Sequence, residues 1–396
     1  MPQHTPRFQS LPQYLLATIP QRKRELIAKG VDVIDLGAGD ADLSPPKAAI
    51  DELRKALDEP TIHRYGFGLG YAPFREAAAA WMQKRFGVSF NPMTELVPLI
   101  GSKEGISHLA FAYVGKGDIA LIPDPGYLAY LGGTLLSEGT AHEFPLRPEN
   151  KFLIDLDAIP ADVARRAKIL YVNYPNNPTA ATAPNEYLAQ VVKWSAKNDV
   201  LLVYDNAYSE LAFDGYVPPS IFQIDGARDV AIEFHSLSKT YNMTGWRCGW
   251  AVAKPEIAGT LAKVKSFVDT GQFMAIQRAG VAALNAWSEF VPQNVATFKA
   301  RRDAAVAAFR ANGFACEPPR ATMYLWLPLP AGVPSTAFHE RLIDEEGVIV
   351  LPGRGLGAGG EGFFRVSFIT SPERITEAAV RAGKVLRRMQ GKTVAA

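Results

Sequence analysis

A chain of 396 residues with 42 Lys+Arg against 40 Asp+Glu, a formal charge of +2, carries neither the basic excess that grips nucleic acid nor a polybasic stripe for a membrane surface. Hydrophobic residues make up 48% and charged residues 21%, a globular composition that at this length implies roughly two or three domain-sized units. Two cysteines without metal-ligand spacing suit a reducing compartment. With neither a signal-type apolar stretch at the start nor a run of about 18 apolar residues anywhere, the expectation is a cytoplasmic protein that acts on small molecules.

From the N-terminus, residues 1–45 read as an amphipathic helix followed by "VDVIDLGAGDADLSPP", a strand running into a turn. Short β-branched runs then alternate with helical periods. "IALIPD" (119–124), "KILYVN" (168–173), "VLLVYD" (200–205), "VAIEFHS" (230–236) and "CGWAVA" (248–253) read as buried strands, and 185–198 as a helix opened by Pro184. That alternation predicts an α/β fold whose large sheet is mostly parallel and covered by helices. Ligands of such sheets gather at the carboxyl ends of the strands, where Asn173, Asp205 and Ser236 stand. From about 285, "FVPQNVATFKARRDAAVAAFRANG" is a long helical pattern leading to "YLWLPLP", "GVIVLPG" and "FFRVSFI", strands of a smaller α/β unit. The expected division is a large domain over 46–284 and a small domain made of 1–45 and 285–396.

Three patterns lead elsewhere. "SLSK" fits the S-x-x-K of penicillin-binding proteins, but S-D-N and K-T-G are both absent. "GRGLGA" (353–358) follows a strand and fits a dinucleotide-binding pattern, yet only 38 residues (359–396) come after it, too few for the rest of that unit. The six histidines are scattered, with no His-x-x-x-His or Cys-x-x-Cys, so no metal site is expected.

The stretch "SLSKTYNMTGWRCGW" (236–250) is the informative one. A lone loop lysine is ordinarily a solvated charge. Its amine does covalent work when it forms a Schiff base with a carbonyl, kept partly neutral by desolvation or nearby positive charge. Here Lys239 stands between the hydroxyls of Ser236 and Ser238 and Arg247, a side chain suited to clamping phosphate. An aldehyde bearing a phosphate would meet all four groups, and pyridoxal phosphate is that aldehyde. Such a cofactor needs a carboxylate for its pyridine nitrogen, which Asp205 could supply, and donors to its phenolic oxygen, for which Tyr208 and Asn177 qualify. It also needs an aromatic cover, which Tyr127 could provide, and a helix N-terminus for the phosphate, which Gly101-Ser102-Lys103 offers.

Taken in order, "GSKEG", "PDPGY", "YPNNPT", "YDNAY", "SLSKTYNMTGWRCGW" and "FFRVSF" resemble the class I/II aminotransferases, the fold-type I enzymes that use pyridoxal phosphate, over nearly the whole chain. The resemblance implies that Lys239 binds the cofactor and then moves the proton between substrate Cα and cofactor. Asp205 would pair with the pyridine nitrogen, Asn177 and Tyr208 with the phenolic oxygen, and Tyr127 would stack on the ring. Ser102, Lys103, Ser236, Ser238 and Arg247 would hold the phosphate. Tyr65, in "YGFGLGYAPFREA", would reach the phosphate of a neighbouring subunit, making the active unit a homodimer. Arg365 would grip the substrate α-carboxylate, with Asn177 and the backbone around Gly39.

Three positions depart from the family pattern. Ala180 replaces the usual glycine after "NPT" and is harmless if its φ stays negative. Ala41 replaces a proline, which should loosen the substrate-side loop. Arg354, in "PGRGLG", stands where a small residue is more usual and could face a second substrate carboxylate. Phrases such as "LPQYLLATI", "GVDVIDLG", "GSKEGI" and "DTGQFMAIQRAG" are most similar to the LL-diaminopimelate aminotransferase branch, which exchanges an amino group between LL-diaminopimelate and 2-oxoglutarate in lysine biosynthesis. An aspartate, alanine or aromatic aminotransferase, or a C–S lyase or decarboxylase, would use the same cofactor residues. A DNA-binding regulator of the aminotransferase-fused type would need a module that the first 45 or so residues do not carry.

Overall fold

Each of the five β-branched runs becomes a strand, with ends within a residue of the expected places. In the computed structural model, which describes residues 2–12, 15–67 and 70–391, the strands are, in chain order, β1 (Ile34–Asp35), β2 (Leu96–Leu99), β3 (Ile119–Asp124), β4 (Thr140–Pro145), β5 (Ala167–Val172), β6 (Leu201–Asp205), β7 (Ala231–Ser236), β8 (Gly249–Ala253), β9 (Tyr324–Pro328), β10 (Val348–Ile349), β11 (Leu351–Pro352) and β12 (Phe363–Ser367). Residues 13–14 of "LPQYLLATI" and 68–69 of the motif that begins at Tyr65 lie outside the described residues.

The large sheet has the order β2-β8-β7-β6-β5-β3-β4. Strands β7, β6, β5, β3 and β4 run parallel, β8 is antiparallel to β7, and β2 is antiparallel to β8. The chain is therefore α/β with a mostly parallel sheet. The pleat explains why the inner strands read as continuous apolar runs. Ile169 and Tyr171 of β5 pack with Ile106 and Leu109 on one face, while Leu170 and Val172 pack with Leu188 and Val191 on the other. The two strands that the periodicity missed are the edges. β4 buries only Phe144, and β2 contains Pro98, which an edge strand tolerates because one side of it bonds to no neighbour.

A second sheet, β11-β12-β9, is antiparallel, and β1 pairs with β10 in parallel. Its core gathers Phe298, Phe309, Phe314, Phe338, Phe364 and Phe368 beneath the helices Trp287–Ala311 and Pro372–Met389. The latter helix starts at Ser371, whose Oγ accepts the Arg374 N–H at 3.4 Å, with Pro372 as its first residue. It buries Ile375, Ala378, Ala379, Ala382, Val385 and Leu386 along one stripe. No helix among the described residues is long and apolar enough to cross a membrane.

The glycine-rich "GRGLGAGG" is a seat between two loops. Asp124 accepts the Gly359 N–H on both carboxylate oxygens, at 2.9 and 2.8 Å, and the Gly126 N–H donates to the Leu356 carbonyl at 2.9 Å. Arg354 is exposed in that loop, with Asp124, Glu143 and Glu361 as its acidic neighbours. Ala180 does not keep a negative φ: it sits at +58°. The turn dictates this, because the Asn176 carbonyl accepts the Ala180 N–H at 2.9 Å and Asn176 Oδ1 accepts the Thr179 N–H at 3.0 Å. An alanine in that region costs about 1 kcal/mol more than glycine. The loop that lacks its proline at Ala41 is anchored by Asp42, whose Oδ1 receives Arg301 Nη1 at 2.7 Å.

Candidate active site

The carboxyl ends of β5, β6 and β7 open into a cavity of about 310 Å³ between the two sheets. It is lined by Gly39, Ser102, Lys103, Tyr127, Asn177 and Asp205, and by Tyr208, Ser236, Ser238, Lys239, Arg247 and Arg365. Asp40, Leu128, Asn173, Ala207, Thr244, Tyr324 and Leu356 complete the wall. A larger groove, about 640 Å³, lies against the helix Asn185–Asn198, but none of the candidate residues line it. Of the residues singled out in the sequence, Tyr65 stands apart: it is 72% exposed and does not line the cavity. Arg354 does not line it either.

Lys239 lies in the one-turn helix Leu237–Thr240 that follows β7 directly. Ser236 caps that turn, its Oγ accepting the Ser238 N–H at 3.1 Å. Lys239 Nζ donates to the Gly39 carbonyl. A side chain at Gly39 would have no room, since a Cβ there would stand 2.1 Å from the Tyr324 hydroxyl oxygen. The lysine turn is tied to the arginine turn. Thr244 Oγ1 donates to the Ser238 carbonyl at 3.1 Å, and Arg247 Nη1 donates to the Thr244 carbonyl at 2.9 Å. Across the cavity the helix Ser102–Tyr113 begins after Gly101, at φ +73°. A Cβ on Gly101 would meet Arg247 Nη2 at 2.5 Å, so the guanidinium lies against the helix N-terminus. The helix start, a permanent cation and the three serines Ser102, Ser236 and Ser238 thus line one cavity, an arrangement that binds phosphate.

Asp205 ends β6 at the other side. Its Oδ2 accepts the Tyr130 hydroxyl at 2.9 Å, and its main-chain carbonyl accepts Asn173 Nδ2 at 2.6 Å. Its Oδ1 is buried and makes no hydrogen bond among the described residues. Burial lifts the carboxyl to about 6, against the opposing pull of the Tyr130 hydroxyl and the Ala207 amide, which favours the charge without a bond of ordinary geometry. Tyr130 stacks on Tyr171 with centroids 4.7 Å apart and meets Tyr127 edge-on at 5.6 Å. Burial, together with the Asp205 charge, pushes its phenol well above the ordinary value, so it stays a donor. Sequence reasoning missed Tyr130. The signal was its place three residues after Tyr127 in "PGYLAY", one turn along the same helical face.

Arg365, on β12 and 3% exposed, donates from Nη1 to Asn177 Oδ1 and from Nη2 to the Gly37 carbonyl, both at 2.7 Å. Its guanidinium lies over the Tyr324 ring at 4.1 Å. Among the described residues no carboxylate pairs with it. Tyr324 and Tyr208 share a hydrogen bond of 2.9 Å. Burial lifts the Tyr208 phenol. It opposes ionisation of Tyr324 as well, but Arg365 and Lys239 outweigh it and draw that phenol below its ordinary value. Either hydroxyl can be the donor of the pair. Tyr324 escaped notice because "YLWLP" reads as a buried strand.

An anion-binding rim, a buried acceptor on Asp205 lacking a donor, and a lysine amine between them fit a phosphorylated aldehyde whose ring carries an N–H. Residues 31–381 match the family described as aminotransferase class I and II. The LL-diaminopimelate aminotransferase 2 of Nostoc sp. is 48% identical over 380 residues, covering 96% of this chain and 97% of that protein. Among solved structures, substrate-bound BacF from Bacillus superposes with a TM-score of 0.93 at 32% identity, covering 97% of this chain and 98% of that one. An aspartate aminotransferase double mutant from Thermus thermophilus gives 0.90 at 28% identity, covering 97% and 100%.

Proposed function

The chain belongs to the class I and II aminotransferases, and on that premise we propose that it exchanges the amino group of LL-diaminopimelate with 2-oxoglutarate. It is a pyridoxal-phosphate-dependent enzyme that moves an amino group between an L-amino acid and a 2-oxo acid, a transferase of the LL-diaminopimelate route to lysine. The observation that carries the choice of substrate is identity of 48% along nearly the full length of an LL-diaminopimelate aminotransferase.

When bound, the cofactor supplies an electron sink for the pair left at the substrate's α-carbon. In this reading Lys239 would hold the cofactor covalently and would take and return the proton at the substrate's Cα. Asp205 keeps the ring nitrogen protonated; a cation beside it would reverse the upward push of burial on its carboxyl. Asn177 uses Oδ1 to accept from Arg365, which leaves Nδ2 to donate to the phenolic oxygen, alongside Tyr208. Tyr127 covers the ring face. Ser102, Lys103, Ser236, Ser238 and Arg247 hold the phosphate, and Arg365, with the backbone around Gly39, takes the α-carboxylate. Tyr65, exposed on its own subunit, completes the phosphate site of a second copy in a homodimer. The large domain spans 46–284, the small one 1–45 and 285–396, and the enzyme works in the cytoplasm.

Arg365→Ala should raise KM for amino and oxo acid alike by about 30-fold or more, the loss of a charge-assisted contact of roughly 2–5 kcal/mol, while cofactor affinity holds. An unchanged KM would remove Arg365 from the site. Substrate choice is read by adding single amino acids to the cofactor-loaded enzyme without an acceptor and following its visible absorbance. Bleaching by LL-diaminopimelate and by glutamate is expected. Bleaching by aspartate, alanine or aromatic amino acids but not by LL-diaminopimelate would overturn the assignment in favour of a broader aminotransferase. Pyruvate and ammonia released without an acceptor would mark a lyase.

A further inference from the structure

Glu104, His108 and Asp269 bring two carboxylates and an imidazole within 4.8 Å of one another, a donor set that could hold a cation. The cation among them is an ammonium. Lys265, 1% exposed, places Nζ 2.9 Å from Glu104 Oε2 and 3.0 Å from Asp269 Oδ2. His108 Nδ1 lies 2.7 Å from Glu104 Oε1 and 3.6 Å from Asp269 Oδ2. A lysine buried this deeply is tolerated only when paired, and each of its two partners goes on to fix a stretch of backbone.

Glu104 Oε2 accepts the Ile100 N–H at 3.0 Å, the residue just before the Gly101-Ser102 helix start. Asp269 Oδ1 accepts the Gly271 N–H at 2.7 Å. The next residue, Gln272, donates from Nε2 to the carbonyls of Trp246 and Arg247. The two arms converge where the Arg247 guanidinium lies against Gly101. One ammonium thus ties both halves of the cavity's cationic rim from behind, and its charge offsets two carboxylates that would otherwise oppose an anion there.

We infer that Lys265 is a positioning residue for the cofactor's phosphate, acting through Glu104 on the helix N-terminus and through Asp269 and Gln272 on Arg247. This rests on the reading of Ser102, Lys103 and Arg247 as the phosphate cradle. Pyridoxal, which lacks the phosphate, separates positioning from general support. Equilibrium binding of pyridoxal phosphate and of pyridoxal is measured on the full-length proteins. Lys265→Met is expected to weaken pyridoxal phosphate by about tenfold or more, the worth of one charge-assisted hydrogen bond, and to leave pyridoxal unchanged. Asp269→Asn, which removes the charge pairing Lys265 to the Arg247 arm and leaves Glu104 in place, should give a smaller loss with the same selectivity. Equal losses for both ligands, or no loss, would overturn the inference. Arg247→Ala serves as the reference. A selective loss there with none in Lys265→Met overturns the role of Lys265 alone, and no loss in either overturns the cradle itself. If Lys265→Met does not fold, Asp269→Asn decides on the same two ligands.

Discussion

Lys239→Ala is expected to abolish amino transfer while leaving a folded protein that still takes up pyridoxal phosphate. The lysine does two jobs in the proposed reaction, covalent attachment of the cofactor and proton transfer at the substrate's α-carbon. A positioned acid-base group alone is worth about 10²–10⁴-fold, and losing the covalent route adds to that, so kcat should fall by at least about 10⁴-fold. Binding should persist because the remaining anchors lie at the two ends of the cavity, Arg247 and the helix start at one side and Asp205 at the other. The fold should be little affected. Among the described residues the side chain's one hydrogen bond runs to the Gly39 carbonyl, a contact worth about 1 kcal/mol. Steady-state kcat at saturating cofactor and borohydride trapping together test this. Wild type should retain the cofactor covalently after reduction, and the variant should release it on denaturation. Undiminished turnover in the variant would remove Lys239 from the chemistry.

Much of this was legible in the chain because the informative residues are neighbours in sequence. Ser236, Ser238, Lys239 and Arg247 lie within one strand-turn-strand passage, and their spacing survives folding. The inner strands were legible for a different reason: buried on both faces, they are mostly apolar. β4 was not, because an exposed edge strand has no apolar pattern to show. Tyr130 and Tyr324 acquire their meaning only across space, one against Asp205 and the other between Tyr208 and Arg365, and in sequence each looks like ordinary core. Lys265 is the sharpest case. In "LAKVKSFVDTG" it reads as one more charge on a solvated helix face, whereas the fold buries it between two carboxylates. Ala180 shows the converse limit. A residue's own preference is overruled when backbone N–H groups donating to Asn176 and Thr179 fix the turn around it.

Removing the charge of Asp205 should act in opposite directions on the empty and the loaded enzyme. Burial raises this carboxyl from its ordinary 3.8 to about 6, so between about pH 4 and 6 the folded chain keeps a proton that the unfolded chain has lost. The stability associated with that proton is complete below about pH 4 and is lost as pH rises through 6, leaving the ionised group costing about 3 kcal/mol at neutral pH. Asp205→Asn preserves an acceptor for the Tyr130 hydroxyl and abolishes the titration. An amide nitrogen buried without a partner adds a roughly pH-independent cost of about 1–3 kcal/mol, which shifts the variant's curve but not its slope. Denaturant unfolding of the cofactor-free proteins should therefore show wild type losing about 3 kcal/mol relative to the variant between pH 4 and 7. Curves that stay parallel would mean the carboxyl is not desolvated. In the loaded enzyme the same substitution takes away the anion paired with the ring nitrogen, and kcat should drop on the order of 10²–10³-fold. A variant with wild-type kcat would show that the charge on Asp205 does not serve the reaction, and the burial of an ionisable group at the end of β6 would then have no catalytic return.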